Sequence, residues 1–480
     1  MYSYHTLIKK LACLTIAALC LVSCSRYLDV KPEDRFLDEQ VFSSRQSAQN
    51  ALNGIYLNMA KSGMYGASMT STTVDVLAQY YNHPVTTRYY SLSTYNYSAG
   101  NAQGHIEAIW RPSYTAILNI NLFIQGLAGA PNLFSAEENN LLLGEAYGLR
   151  AFIGLDLLRL FGPVYAIDST ALAVPYPTDP NVRVNTILQA NVAMDSIMHD
   201  LQRAAELLQQ DPIRTVGVQP PGEQDGDNFF KLRNRRMNYY AVQAIAARAL
   251  LYRGNKNAAL DRANAVIAEA GKWFPWSLPA LSGSGQANPD RIFSSELLMG
   301  LPNFDLYTVQ NDNFNATLLR NLLTPLPVRL EGIYEGLNND YRYRSSWVID
   351  PSSNLNQRTF FKYADIEDKS LPYRNLQPLI RLSELYYIVA ECTPDEIVAE
   401  EHLNTVLFNR GLPDITIANN RMDLIAKEYA KEFWGEGQLF YYYKRTNAPS
   451  IINGNTGVGT VAMTPEKYRV PLPLSETEYR

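Results

Sequence analysis

Cysteine is scarce in this chain, with four residues in 480, at positions 13, 20, 24 and 392. Three lie in the first 24 positions, which leaves Cys392 alone in the body and excludes a disulfide-stapled fold. Histidine is nearly as rare. Beyond the N-terminus, His83, His105, His199 and His402 are too scattered for a His-Glu-x-x-His zinc set. Charge of one sign is missing as well. The 42 basic and 47 acidic residues nearly balance, and no basic tract supplies the footprint of a nucleic-acid-binding surface. After the N-terminus no run of 18 uncharged apolar residues occurs, so the body carries no helical membrane span. Enzyme signatures are absent too. There is no Gly-x-Ser-x-Gly, Gly454 to Gly459 lacks phosphate-loop spacing, and no Asp-x-Asp-x-Asp-Gly calcium loop is found. The chain is therefore read as non-catalytic, with no cofactor and no metal. Only a glycosidase's two opposed carboxylates would escape such a survey, because they can come from anywhere in a sequence.

What the chain has in excess is tyrosine: 32, against 17 Phe and 5 Trp. A core built only for packing favours Phe, because a buried phenol must also place its hydroxyl. At the N-terminus, Lys9 and Lys10 precede the apolar run Leu11 to Val22, too short to cross ~30 Å of hydrocarbon, and a secretory signal over 1–23 is expected. Leu21-Val22-Ser23-Cys24 resembles a bacterial lipobox, which implies cleavage before Cys24 and lipidation of that residue. Residues 24–38 read as a polar tether, and 39–480 as one large body.

That body is mainly α. Met237 to Gly254 and Asn255 to Gly271 carry answering stripes of small and apolar residues, joined at Gly254, and resemble a tetratricopeptide helix pair. Leu141 to Phe161 with Asn185 to Gln210, and Leu379 to Cys392 with Asp395 to Arg410, form further pairs. Two long excursions, about 64–104 and 272–375, lack sustained helical periodicity and interrupt any regular solenoid. The expectation is a right-handed helical scaffold bearing long, aromatic-rich insertions.

Several stretches together resemble the SusD/RagB family. Gly144-Glu145-Ala146, Leu149-Arg150-Ala151 and Leu158 to Pro163 are similar to its first signature, and Leu379 to Tyr386 with Ala390-Glu391 to its second. Glu432-Phe433-Trp434-Gly435-Glu436-Gly437 is similar to the third. Ala51-Leu52-Asn53-Gly54-Ile55-Tyr56, Arg410-Gly411 and Val470 to Pro473 follow the family's order. The chain departs from the pattern at Gln438 and Tyr441 to Arg445, at Glu428-Tyr429 and at Cys392-Thr393-Pro394. The resemblance implies four helix pairs with a loop-rich part. It also implies a lipid-anchored, non-enzymatic protein on the outer face of an outer membrane, touching the membrane only through its lipid. Its implied partners are a SusC-type TonB-dependent barrel and a nutrient ligand, most often an oligosaccharide and sometimes a peptide. A repeat scaffold that binds only protein partners is the competing reading.

Candidate ligand contacts are sought in the excursions. Residues 79–97 hold six tyrosines, Tyr80, Tyr81, Tyr89, Tyr90, Tyr95 and Tyr97, near Asp75, Asn82 and Arg88. A phenol ring covers the C–H face of a sugar while carboxylate, amide and guanidinium groups bond its hydroxyl edge. Trp273, Trp276, Tyr341 and Tyr343 of the second excursion are the further candidates. The opposing reading is that these rings pack the loops onto the scaffold.

Overall fold

The computed structural model describes residues 41–478 apart from 182, 223–227, 284 and 351–354. The signal over 1–23 and the tether over 24–38, with Cys24, lie outside the described residues. The principal helices are α1 (Arg45–Met59), α2 (Gly100–Gly129), α3 (Ala136–Phe161), α4 (Ala190–Leu207), α5 (Tyr239–Tyr252), α6 (Lys256–Ala270), α7 (Leu306–Phe314), α8 (Leu382–Cys392), α9 (Glu396–Phe408), α10 (Arg421–Glu432) and α11 (Leu439–Arg445). Four pairs pack together, α1 with α2, α3 with α4, α5 with α6 and α8 with α9, as the family resemblance implies. Successive pairs meet where α5 rests on α4 and α6 on α8.

Local chemistry sets these boundaries. Ser135 and Glu138 form a reciprocal capping box that starts α3. Asn238, Asn255 and Asp395 accept backbone N–H bonds at the starts of α5, α6 and α9. Gly254 turns α5 into α6 at φ +87°, a conformation glycine adopts without a Cβ penalty. Helix α5 is apolar around nearly its whole circumference and is buried on all sides.

Strands are few and antiparallel: β1 (Leu297–Pro302) with β4 (Leu376–Arg381), β2 (Trp347–Ile349) with β3 (Arg358–Phe360), and β5 (Ser450–Ile452) with β6 (Thr460–Ala462). The β1–β4 pair corrects the sequence reading, which ran the helix back to Leu379. Residues 379–381 are strand, because β1 offers them a ladder and α8 begins only at Leu382. The excursions also hold more regular structure than expected. The first contains short helices at Thr73–Leu77 and Tyr90–Ser93 and runs into α2 at Gly100, and the second contains α7 and two shorter helices. These segments are too short to show a period in sequence.

Candidate functional site

The tyrosine-rich stretch lies inside. Tyr80 and Tyr81 are 0% and 1% exposed and belong to the continuous core. Tyr80 stacks on Trp434 with centroids 4.2 Å apart, and Tyr81 meets Trp434 edge-on at 6.0 Å. Around Trp434 stand Trp347 and Phe360, with Phe314 against Tyr81. The two excursions thus meet in space as a buried aromatic cluster closed by the third signature. Both hydroxyls donate to backbone carbonyls, Tyr80 to Ala430 O at 2.9 Å and Tyr81 to Ser71 O at 2.9 Å. As placed, neither ring can touch a ligand from outside.

Asp75 is also a correction. Its carboxylate is fully buried and accepts the N–H groups of Gly435 at 2.7 Å and Gly437 at 3.2 Å. Gly437 has φ +70°, and a Cβ there would collide with Met69 O, so Asp75 and this glycine together fix the third signature's turn. Burial pushes the Asp75 carboxyl up, against the pull of those two N–H groups.

Tyr89 is buried, stacked on His105 at 4.5 Å with His83 beside it at 5.8 Å. Burial, and then the nearby Arg88 and His105, push the His83 imidazole down to about 3, so it is neutral at physiological pH. Asn82 is half-buried, its N–H bonded to Thr324 O at 3.0 Å. Tyr90 is half-buried. Of this group only Arg88 is exposed. It reaches Asn313 Oδ1 at 2.6 Å and Asp312 O at 3.4 Å.

The remaining candidates do not join that cluster. Trp273 is half-buried and donates from Nε1 to Arg214 O at 3.2 Å, its ring filling the space beside Gly217. Trp276 packs on Tyr386 at 5.2 Å and lies under the Arg410 guanidinium. Tyr341 covers Gly411, and Tyr343 packs against Tyr334 at 5.0 Å beneath Arg358. The prolines beside these tryptophans accompany packing contacts to the scaffold.

The exposed rings are elsewhere. Among the described residues, the aromatic side chains that stand open to solvent are Phe304 (72% exposed), Tyr307 (46%) and Phe408 (73%). Tyr307 lies in the first turn of α7 and Phe304 just ahead of its N-cap Asp305, and helical spacing carries the Tyr307 face on through Asn311. Asp305, Thr308 and Asp312 are exposed on the same short helix, and Arg88 closes onto its C-terminal end. Two more segments meet the stretch that carries Arg88 and the chain after α7. His83 N–H bonds Asn455 Oδ1 at 2.7 Å, and Gly457 lies against Val328. They expose Val85, Leu319, Val328 and Val458. Open rings, carboxylates and a guanidinium are thus exposed along and beside α7. A sequence signal for it existed: Phe304 to Asn315 (FDLYTVQNDNFN) interleaves aromatics with amides and carboxylates.

On the repeat side, a groove of about 940 Å³ opens between α4, α5 and α6. Asp195, His199, Glu206, Tyr239, Gln243 and Arg262 stand among its lining residues. No described helix is long and apolar enough to cross a membrane. Among the described residues no group of three or more His, Cys, Asp or Glu side chains is gathered to hold a metal.

The sequence was compared with known proteins. A family model described as "Starch-binding associating with outer membrane" matches residues 26–221, and a second, described as "SusD family", matches 337–468. A SusD-like protein P2 from Formosa agariphila is 29% identical over 197 residues, which is 40% of this chain and 37% of that protein's length. Among solved structures, a SusD superfamily protein from Bacteroides thetaiotaomicron aligns at a TM-score of 0.70 and 23% identity, covering 91% of this chain and 98% of that one. A SusD-like carbohydrate binding protein from Bacteroides vulgatus aligns at 0.66 and 17%, covering 91% and 96%.

Proposed function

Because this chain belongs to the SusD/RagB family, we propose that it is a nutrient-capturing lipoprotein of the outer membrane. It binds oligosaccharides on the outward face of α7 and delivers them to a SusC-type TonB-dependent barrel seated against its repeat helices, without chemistry of its own. The observation that carries the ligand part of this reading is the exposure of Phe304 and Tyr307 at one end of a short helix that also exposes Asp305 and Asp312 and is met by Arg88. Open rings lose solvent contact when they cover the C–H face of a sugar. The polar groups then bond hydroxyl groups that point outward from the ring plane. The matching family, starch-binding and associated with the outer membrane, and the similar carbohydrate binding protein from Bacteroides vulgatus agree with that chemistry. The groove over α4, α5 and α6 is lined by none of these residues and supplies a candidate seat for the barrel.

Binding at so shallow a face is expected at a Kd of about 10 μM to 1 mM, roughly −7 to −4 kcal/mol. Calorimetric titration of plain glucans, mannans, host-type oligosaccharides and short peptides checks it. Phe304→Ala with Tyr307→Ala should remove the binding heat at an unchanged melting temperature. Unchanged heats in that double variant would place the site elsewhere, a response to peptides alone would replace the ligand class, and release of reducing sugar would overturn the non-catalytic reading.

A further inference from the structure

We propose that a small internal cavity between α3, α5, α8 and α11 binds one buried monoatomic anion of the halide class, chloride in ordinary solutions. The cavity measures about 20 Å³ and is walled by Arg159, Arg248, Tyr252, Glu384, Tyr441 and Arg445, among others. One water needs about 10–15 Å³, so there is room for a single small particle and little else.

Four polar atoms on these walls have no partner within the chain: Arg159 Nε, Arg248 Nη1 and the hydroxyls of Tyr252 and Tyr441. All four residues are at least 95% buried. Leaving such groups unpaired is costly, so each must be served by something. Their neighbours are already committed. Arg159 gives its other donors to Gln438 Oε1 at 3.0 Å and to Asp156. Arg248 holds both oxygens of Glu384, at 2.7 and 2.6 Å, and Arg445 holds both oxygens of Glu391, at 2.6 Å each.

Counting donors decides what the particle is. The two guanidinium N–H groups can only donate, and each phenol has a proton to place. A water could accept both guanidinium bonds and give its protons to the phenol oxygens, yet both phenol protons would still lack an acceptor. An anion accepts from all four groups at once. Each of the three guanidinium groups on the walls is already balanced by a carboxylate, Asp156, Glu384 or Glu391, so the count of donors, not net charge, selects the anion. A buried ion needs hydrogen bonds to compensate its lost hydration, and here the four unpartnered groups supply them, two from guanidinium cations. One wall is the stretch Gln438 to Arg445, where this sequence departs from the signature pattern. The opposite walls come from α3 and α5, so the anion fastens the earlier helix pairs to the C-terminal helices.

Two measurements test this on the mature chain. Crystals soaked in sodium bromide, recorded at the bromine edge, should show an anomalous peak within hydrogen-bonding distance of Arg159 Nε and Arg248 Nη1. Density there without anomalous signal means water and overturns the proposal, as does no density. Thermal unfolding at fixed ionic strength should give a midpoint about 1–3 °C higher in chloride than in acetate, which is too large for the cavity. Tyr252→Phe with Tyr441→Phe keeps both rings and should abolish that difference. An equal chloride effect in the wild-type and variant proteins would mean a general salt effect and no site.

Discussion

A buried phenol must set its hydroxyl against an acceptor or lose about 1–3 kcal/mol, and irregular backbone carries many carbonyls that no ladder uses. In this protein the two needs meet. Tyr80, Tyr81, Tyr95, Tyr97, Tyr363, Tyr442 and Tyr468 each donate to a main-chain oxygen, those of Ala430, Ser71, Leu77, Lys467, Gly435, Met422 and Ala448. The excess of tyrosine over phenylalanine therefore reflects long insertions folded onto a helical scaffold. A phenol serving a carbonyl and a phenol serving a sugar leave the same mark in a sequence, which is why residues 79–97 read as a capture surface and Phe304 and Tyr307 were passed over. The consequence is measurable. Tyr80→Ala with Tyr81→Ala should destabilise the protein by about 3–5 kcal/mol per ring, seen as a lowered urea midpoint, because each ring leaves a cavity beside Trp434. Tyr80→Phe should cost only about 1 kcal/mol, the bond to Ala430 O. If the double alanine variant melts like wild type, the buried placement is wrong.

At the scale of elements, the stretches that carry the family resemblance turn out to be the places where buried charges are tied. Glu145 of α3 accepts from Arg233, Arg236 and the Tyr56 hydroxyl, and Arg236 also holds Asn53 at 2.8 Å. The opening motif is thereby joined to the first signature. Arg410 grips Glu296 and Glu432, Arg381 grips Glu436, and Arg342 reaches Asp340, Glu428 and Glu432. A buried ion cannot drift to another residue type without leaving its partner bare, so these positions stay recognisable while loops change around them. That is why the helix pairs and signatures were legible in sequence. The strand at 376–381 and the short helix α7 depend on distant partners and were not. Arg410→Met should cost about 3–5 kcal/mol, since it leaves Glu296 and part of Glu432 uncompensated. Burial works to raise the Glu432 carboxyl, but Arg410, Arg381 and Arg342 overcome it and hold the group well below the usual carboxylate range. In the native state Glu432 thus binds fewer protons than in the unfolded chain. Its stabilisation is complete above about pH 4.3, the ordinary value, and is lost as pH falls through the native one. Urea midpoints followed from pH 7 to pH 3 should show this contribution vanish only at the acid end, and Glu432→Gln should flatten that decline while lowering stability at pH 7.

A protein that takes a ligand from solution and passes it to a membrane partner needs an anchor, a capture surface and a docking surface that do not compete. The anchor is expected at Cys24, and Cys24→Ala should move the protein from the membrane fraction to the soluble one, whereas persistent attachment would sink the lipid assignment. The other two surfaces are built from different parts of the chain: α7 with Arg88, and the groove over α4, α5 and α6. Asp195 and Glu206 project from that groove and are well exposed, so Asp195→Lys with Glu206→Lys should leave the fold within about 0.5 kcal/mol of wild type. The double charge reversal inverts the local field at the groove and should weaken co-purification with the barrel, the more so at low salt, while the calorimetric response to oligosaccharide stays as it was. Phe304→Ala with Tyr307→Ala should do the reverse, abolishing the response while the barrel is retained. Combining all four substitutions should add the two losses without interaction, as expected of independent sites. If instead either pair of substitutions impairs both activities, capture and docking share one surface and the two-faced arrangement is wrong.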